Sequence, residues 1–350
     1  MSSAPKPPNS APEVFFLIGV PRSGTTLLQL MLDHHPEIGM CPESNFMENI
    51  LRYGAMEQFR TGWHFREFVF GISHWLAKFN DPAHELVQAM LRQHPDYSGP
   101  TKPLLQQWVK EYLAVKQKRI FGEKTPENAH FLRPLRAFCP AAKIVVLLRH
   151  PLDTICSLSK SLARVKGIAN PYSDANLLHT ALFVKRGLQA ILHNTSGHDP
   201  QVFTLTYEAL VQDPGPTLSG LCSFLGVNYE PQMLQFSSPG FFTGKDPRSV
   251  DLHTGLSQPL NSANTGQYAQ LLSSGQSALL SRFLAAEMAH LPYPPTPGTL
   301  TFAQNLLLGV FRLLYALKQP HWREVWIMVK IRVKELLVPF RSQRAESAFR

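Results

Sequence analysis

The fold is decided by one stretch near the start of the chain: Val14-Phe15-Phe16-Leu17-Ile18-Gly19-Val20-Pro21-Arg22-Ser23-Gly24-Thr25-Thr26-Leu27-Leu28. Its first residues are apolar and predict a buried strand, and its last residues predict the start of a helix. Gly19 and Gly24 let the backbone fold tightly between the two. Hydroxyl groups stand beside the free N–H groups of the helix N-terminus, on Ser23, Thr25 and Thr26. A strand, loop and helix of this kind predict a binding site for a phosphorylated ligand.

The loop departs from the common nucleotide-binding pattern at one position. The spacing from Gly19 to Gly24 matches Gly-x-x-x-x-Gly-Lys-[Ser/Thr], but Thr25 stands in place of the lysine. In enzymes that use nucleoside triphosphates, that lysine reaches the terminal phosphates and a carboxylate near a strand end holds magnesium. Here the cation is Arg22, inside the loop, whose guanidinium can hold two oxygens of one anionic group.

A second cationic site follows the apolar strand predicted over residues 143–148. Arg149 comes directly after this strand, where a metal-binding aspartate is expected in an ATP-dependent enzyme, and Ser157 lies on the next helix. Arg149 and Ser157 together can bind a further phosphoryl group. Two cationic sites without a metal-binding carboxylate argue against ATP and predict a reaction that requires no metal. The alternative function is that of an ATP-dependent, kinase-like phosphotransferase with a P-loop.

Both motifs resemble those of the P-loop sulfotransferases, which use 3′-phosphoadenosine-5′-phosphosulfate (PAPS) as the sulfuryl donor. The family's Pro-Arg-Ser-Gly-Thr-Thr-Leu loop is matched here by Pro21, Arg22, Ser23, Gly24, Thr25, Thr26 and Leu27. Its Arg-x-Pro-x-Asp-x-x-x-Ser motif is matched by the run from Arg149 to Ser157. The resemblance implies that the loop binds the 5′-phosphosulfate, and that Arg149 and Ser157 bind the 3′-phosphate.

Two segments between these motifs resemble those that carry the catalytic glutamate and lysine of the heparan-sulfate sulfotransferases. They are Cys41-Pro42-Glu43-Ser44-Asn45-Phe46 and Gly122-Glu123-Lys124-Thr125-Pro126-Glu127. We expect Glu43 to be the general base, with Glu48 and Glu123 as alternatives. We expect Lys124, helped by Arg22, to stabilise the leaving phosphate. A helix-capping role for Glu43 and a surface position for Lys124 are the structural alternatives.

Three later positions are expected to complete the nucleotide site. Tyr207 begins a Tyr-x-x-Leu segment similar to one in sulfotransferases, and core packing and the nucleotide pocket are equal alternatives for it. Thr265 and Gly266 resemble the late loop that closes over the nucleotide. Asn264 and Gln267 stand where many relatives have basic residues, so backbone N–H groups would have to bind the nucleotide there.

The order of predicted elements indicates the fold class. Strands alternate with helices, and the motif residues follow strand ends, which predicts an α/β fold with a P-loop and a doubly wound parallel sheet flanked by helices. We expect a disordered N-terminus over residues 1–12 and the sulfotransferase domain over residues 13–290. Residues 46–118 contain many aromatic residues and few strand signals, which predicts a helical insertion on the acceptor side.

The end of the chain differs from the domain in charge. After a Pro-rich linker at 291–299, residues 300–350 predict a basic, amphipathic helical extension. Nine Arg or Lys against three Glu give it a charge of +6, out of +9 for the whole chain. Packing on the domain or in a homodimer is the favoured hypothesis, and peripheral contact with an anionic membrane is the alternative. A non-catalytic membrane-associated binder is the functional hypothesis that rests on this extension alone.

Composition and the N-terminal residues indicate the size of the core, the state of the cysteines and the compartment. A chain of 350 residues with 44% hydrophobic content can bury one large core. Its four cysteines show no metal-ligand spacing and are expected to be reduced and mostly buried. Residues 1–12 resemble neither a signal peptide nor an anchor, so we expect a cytoplasmic enzyme, in peripheral contact with a membrane if the extension binds lipid.

The partner is expected to be an acceptor substrate. Nucleic-acid binding is not predicted, because no basic run interleaved with aromatic residues accompanies the motifs. The run from Met31 to Glu43 is similar to the tyrosylprotein sulfotransferases. A glycan, a tyrosyl peptide, a lipid and a small metabolite are all compatible with a helical, aromatic insertion, and the sequence does not choose among these acceptors.

Overall fold

The computed structural model describes residues 12–195, 197–236, 260 and 262–317. Its centre is a sheet of five parallel strands with the order β2-β3-β1-β4-β5. The strands are β1 (Glu13–Gly19), β2 (Ile38–Cys41), β3 (Ile120–Lys124), β4 (Lys143–Leu148) and β5 (Val202–Thr206). Because β1 pairs with both β3 and β4, the loop after β1 lies between the ends of those two strands. The predicted parallel α/β sheet is confirmed.

Helices cover both faces of this sheet. They are α1 (Thr25–Asp33), α6 (Leu132–Phe138), α7 (Pro151–Lys166), α8 (Asp174–Thr195), α9 (Tyr207–Gln212) and α10 (Pro214–Leu225). Successive strand residues belong to different cores, as a pleated strand requires. Phe15 and Leu17 pack with α1, α9 and α10, whereas Phe16 and Ile18 pack with α7, α8 and the helices between β2 and β3. Both faces are therefore buried, as in a doubly wound fold.

The chain after β3 forms two kinds of helix in succession. A 3-10 helix, Pro126–Phe131, comes first and is followed by α6. This 3-10 helix is attached to the sheet, because the side-chain amide of Asn128 donates to the Glu123 carboxylate at 2.8 Å. The 3-10 helix is therefore bonded to β3 before the regular helix begins.

Residues 46–118 form the helical insertion between β2 and β3. Its helices are α2 (Phe46–Arg52), α3 (Gly62–Leu76), α4 (Ala83–Gln93) and α5 (Thr101–Lys116). Aromatic rings fill its interior, with Phe59 5.3 Å from Phe65 and 5.2 Å from Phe68 between ring centroids. The Lys116 ammonium lies 2.8 Å from Asp33 of α1 and 3.4 Å from Asp81 before α4. The pair with Asp33 links the insertion to the domain, whereas the pair with Asp81 lies within the insertion.

The last described elements pack on α7 and α8. They are α11 (Tyr268–Leu271), α12 (Ser274–Phe283), α13 (Ala285–Met288) and α14 (Phe302–Leu317). The Pro-rich segment before α14 contacts the domain, since the Tyr293 hydroxyl donates to Glu208 at 2.6 Å and Arg282 donates to the Gly298 carbonyl at 3.1 Å. The rest of the predicted extension, residues 318–350, lies outside the described residues, as do residues 1–11. None of the helices that the structure describes is long and apolar enough to cross a bilayer.

We predict that a buried ion pair between α8 and α13 stabilises the C-terminal part of the domain. Lys185 Nζ lies 2.6 Å from Glu287 Oε2, with side chains only 11% and 3% exposed, and Gln189 donates to the other carboxylate oxygen at 2.7 Å. Lys185→Met leaves a buried carboxylate without its cation, so the free energy of unfolding should fall by about 3 kcal/mol in urea denaturation.

The matched control is the double variant Lys185→Met/Glu287→Met, which removes both charges and should recover at least about half of that loss. A single variant that loses less than about 1 kcal/mol, or a double variant that is less stable than the single one, would contradict the role of this pair.

Candidate active site

The predicted site residues converge on one edge of the sheet. In a parallel sheet the carboxyl ends of the strands meet at the same edge. The loop with Arg22 follows β1, Glu43 follows β2, and Arg149 follows β4. Lys124 is the last residue of β3, where it pairs in register with Leu17 of β1. The strand order therefore brings both sequence motifs and both candidate catalytic residues to one place.

The loop between β1 and α1 is held in an unusual backbone conformation. Arg22 and Gly24 have positive φ angles of 74° and 98°. A Cβ atom at residue 24 would lie 2.5 Å from the Tyr207 ring, so only glycine fits there. The Ser23 side chain is 1% exposed, and its Oγ has no partner among the described residues. Nor does a described side chain cap the N-terminus of α1, so its first N–H groups are available to an anion.

Lys124 and Glu43 form a short ion pair beside this loop. The Lys124 residue is 0% exposed, yet its Nζ lies 2.5 Å from Glu43 Oε1 and 3.4 Å from Thr26 Oγ1. The Glu43 side chain is 29% exposed and so reaches solvent. A cation that can stabilise an anion and a carboxylate that can accept a proton therefore lie in direct contact, at the first turn of α1.

The two alternative carboxylates have other contacts. Glu123 is buried and accepts hydrogen bonds from Ser44 Oγ at 2.8 Å, Thr125 Oγ1 at 2.5 Å and Asn128 Nδ2 at 2.8 Å. Burial raises the pKa of Glu123 to about 7. Glu48 forms an ion pair with Arg52, one turn further along α2, at 2.5 Å. Of the three candidate carboxylates, Glu43 is the one in contact with Lys124 in the described part of the chain.

Glu127 is a neighbour of this pair to which the sequence patterns assigned no role. Burial, and after it the charge of Glu43, raise the pKa of Glu127 to about 7. The sequence could have pointed to Glu127, because this residue lies in the segment Gly122–Glu127, which also carries Lys124. Near pH 7, the Glu127 carboxyl group, close to Glu43, can therefore hold a proton.

Arg22 and Arg149 form the second half of the site. Arg22 Nε lies 3.4 Å from Ser157 Oγ, and Arg149 donates to the carbonyl oxygens of Arg22 at 2.9 Å and Asn264 at 2.5 Å. The Arg149 guanidinium stacks 4.7 Å above the Tyr207 ring, and its buried Nε has no partner among the described residues. Burial and the charge of Arg149 lower the pKa of Arg22. Two neighbouring guanidinium groups near a serine hydroxyl can bind a dianion such as phosphate.

Asp153 is a further residue of the site; it belongs to the Arg149 motif, but the motif assigned it no role. Its carboxylate is 1% exposed and accepts the backbone N–H groups of Gly266 at 2.7 Å and Tyr268 at 2.8 Å. The His150 ring stacks on Tyr268, with centroids 4.5 Å apart. The Thr265 hydroxyl donates to the Ser262 carbonyl at 2.7 Å. The segment with Thr265 and Gly266 is thus attached to the start of α7, and the Gly266 amide is already bonded to Asp153.

A metal site would need several ligands close together. Within residues 12–195, 197–236, 260 and 262–317, no group of three or more His, Cys, Asp or Glu side chains is arranged to hold an ion. All four cysteines are free, and Cys41, Cys156 and Cys222 are buried. That the reaction requires no metal stays a prediction.

Comparison with known proteins is consistent with this geometry. A family model described as "Sulfotransferase family" matches residues 12–231. A putative protein-tyrosine sulfotransferase of Caenorhabditis briggsae is 25% identical over 255 residues, which cover 72% of this chain and 78% of the relative. The nodulation protein NoeE of Sinorhizobium fredii is 25% identical over 243 residues, 65% of this chain and 52% of that protein.

A solved structure has the same fold. The sulfotransferase domain of the Synechococcus PCC 7002 olefin synthase superposes with a TM-score of 0.56 at 21% identity, over 84% of this chain and all of that domain. The family match spans well over half of the chain and includes the loop after β1, Glu43, Lys124 and the Arg149 motif. The chain therefore belongs to the sulfotransferase family, whose enzymes transfer a sulfuryl group.

Proposed function

We propose that this enzyme transfers the sulfuryl group of PAPS to a hydroxyl or amine of an acceptor by in-line displacement. The observation that carries the proposal is the buried Lys124 ammonium, which lies between the Glu43 carboxylate and the first turn of α1. A kinase-like reaction with ATP is disfavoured, because Thr25 replaces the phosphate-binding lysine and β4 ends at Arg149 rather than at a carboxylate.

The residues at the sheet edge fit a donor with two phosphate groups. The uncapped N-terminus of α1 and the unpartnered Ser23 hydroxyl would bind the 5′-phosphosulfate, together with Thr25 and Thr26. The unpartnered Arg149 Nε and the Ser157 hydroxyl would bind the 3′-phosphate, and the contact of Arg22 with Ser157 supports its participation there. The remaining residues that we assign to the nucleotide site are Pro21, Gly24, Leu27, Tyr207, Thr265 and Gly266.

Glu43 and Lys124 would perform the chemistry as a pair. Glu43 accepts the proton of the acceptor hydroxyl or amine while the new bond from that oxygen or nitrogen to sulfur forms. The bond from sulfur to the bridging oxygen breaks, and negative charge develops on the leaving phosphate. Lys124, with Arg22, stabilises this charge. As the ammonium is attracted towards the phosphate, the Glu43 carboxylate becomes a better proton acceptor.

Four classes of acceptor are compatible with the insertion. The relative from Caenorhabditis briggsae is named as a putative protein-tyrosine sulfotransferase, so a tyrosyl peptide is the first acceptor to test. Glycans, lipids and small metabolites complete the panel. We assign residues 46–118 to the acceptor side, because α2 begins three residues after Glu43.

We predict that Glu43→Gln decreases kcat about 10²–10⁴-fold, because the amide cannot accept the acceptor's proton. The affinity for adenosine 3′,5′-bisphosphate should change less than about threefold, since an amide still occupies the position of the carboxylate. Transfer is measured with radiolabelled PAPS and the acceptor panel, and affinity is measured by calorimetry.

The matched control is Glu48→Gln, which changes an alternative carboxylate that pairs with Arg52. Its kcat should stay within about twofold of the unmodified enzyme, as for a surface ion pair. A Glu43→Gln enzyme with nearly full kcat, or a large loss in Glu48→Gln, would remove Glu43 from the role of general base.

We predict that Ser157→Ala weakens binding of adenosine 3′,5′-bisphosphate about tenfold, which corresponds to one charge-assisted hydrogen bond of about 1.4 kcal/mol. Binding of AMP, which lacks the 3′-phosphate, should not change. Ser161→Ala is the control on the same helix, because its hydroxyl donates to the Ser157 carbonyl. An equal loss for AMP, or binding of ATP with magnesium in preference to the bisphosphate, would refute the 3′-phosphate site.

A further inference from the structure

Among the described residues, helix α14 contacts the domain through one side. Leu308 and Tyr315 are 5% and 8% exposed, and the Tyr315 hydroxyl donates to Gln189 of α8. Gln304 donates to Asp174, the first residue of α8, at 3.1 Å. Because these three residues recur at helical spacing, they define the side of α14 that is buried on the domain.

The opposite side of α14 is apolar and exposed. We call it the outer face of α14; its residues, with their exposed fractions, are Phe302 (86%), Leu306 (63%), Val310 (45%), Leu313 (61%) and Leu314 (41%). Elsewhere in the described chain, large exposed apolar residues occur singly on separate elements, such as Phe70 on α3, Val115 on α5 and Val165 on α7. A contiguous stripe of this kind marks an interaction surface, whereas single exposed residues are ordinary.

The charge around this face favours one kind of partner. Residues 300–317 contain no Asp or Glu, and Arg312 is exposed on α14. The 33 residues that follow directly, 318–350, have eight Lys or Arg against three Glu, a charge of +5. A second copy of the chain would bring an equal positive charge to the interface, which opposes association. An anionic lipid surface offers both an apolar layer and the opposite charge.

We propose that the outer face of α14 binds the surface of an anionic membrane, with the helix parallel to the bilayer and its apolar residues at the headgroup boundary. The basic residues after α14 add electrostatic attraction to the same surface. Membrane binding does not depend on the sulfotransferase reaction, so it is tested separately from the proposed function. It would bring the enzyme to acceptors at the lipid surface.

The test is flotation of the full chain with vesicles of phosphatidylcholine alone, or of phosphatidylcholine with 30% phosphatidylserine. We expect about tenfold more protein on the anionic vesicles, and a decrease in binding at 0.5 M salt as the charges are screened. Leu306→Asp/Leu313→Asp should decrease binding at least about tenfold, because two charged groups replace the inserted side chains. Circular dichroism and the Tm confirm that the variant folds.

The matched control is Val115→Asp/Val165→Asp, which adds the same charge at two exposed valines on other elements, 57% and 46% exposed. It should bind anionic vesicles nearly as the unmodified chain does. In a second variant, Lys330→Glu/Arg332→Glu/Lys334→Glu, the dependence on phosphatidylserine should be lost.

Three results would overturn the proposal. The first is no binding to either vesicle, and the second is an equal decrease in both aspartate variants. The third is the identification of another occupant. A dimer in light scattering that Leu306→Asp/Leu313→Asp converts to monomer would assign the outer face to a second copy. Slow hydrogen exchange along the outer face without vesicles, together with no flotation, would assign it to residues 318–350 of the same chain.

Discussion

A lysine ammonium that is buried at the end of a central strand must have a carboxylate beside it. The cost of removing an unpaired charge from water is several kcal/mol, so Lys124 fixes the place of Glu43. Their strands, β3 and β2, are neighbours in the sheet, with Glu123 in register with Cys41. The same ammonium reaches Thr26 at the start of α1. One ion pair thereby joins the loop after β1, the chain before the insertion and strand β3.

The other half of the site shows the reverse situation, a local excess of positive charge. Arg22 and Arg149 lie together, and burial with mutual repulsion lowers the pKa of Arg22. Such an arrangement costs stability in the free enzyme and becomes favourable when an anion binds. The two oxygens of Asp153 accept the backbone amides of Gly266 and Tyr268, so the late loop is attached to α7 beside the two arginines.

Local patterns in the sequence made much of the fold and the place of the site predictable. The apolar runs predicted the strands, and their alternation with helices predicted the parallel sheet, which gathers strand ends at one edge. The pairing of Lys124 with Glu43 was not predictable, because it depends on the strand order β2-β3-β1 rather than on sequence distance. The contacts of Asp153 and the raised pKa of Glu127 were not predictable either, because a bond across 113 residues and a raised pKa arise only from packing. The outer face of α14 was only partly predictable, since apolar spacing does not tell which side the domain covers.

We expect one pocket, without a metal, to bind both ends of a doubly phosphorylated adenosine and to direct its 5′ end to Lys124. A crystal structure of the enzyme with adenosine 3′,5′-bisphosphate, grown with magnesium present, tests it most directly. The 5′-phosphate should lie at the N-terminus of α1 within hydrogen-bonding distance of Lys124, and the 3′-phosphate should lie on Arg149 and Ser157, with no metal between them. A nucleotide bound elsewhere, or phosphates held through magnesium, would contradict it.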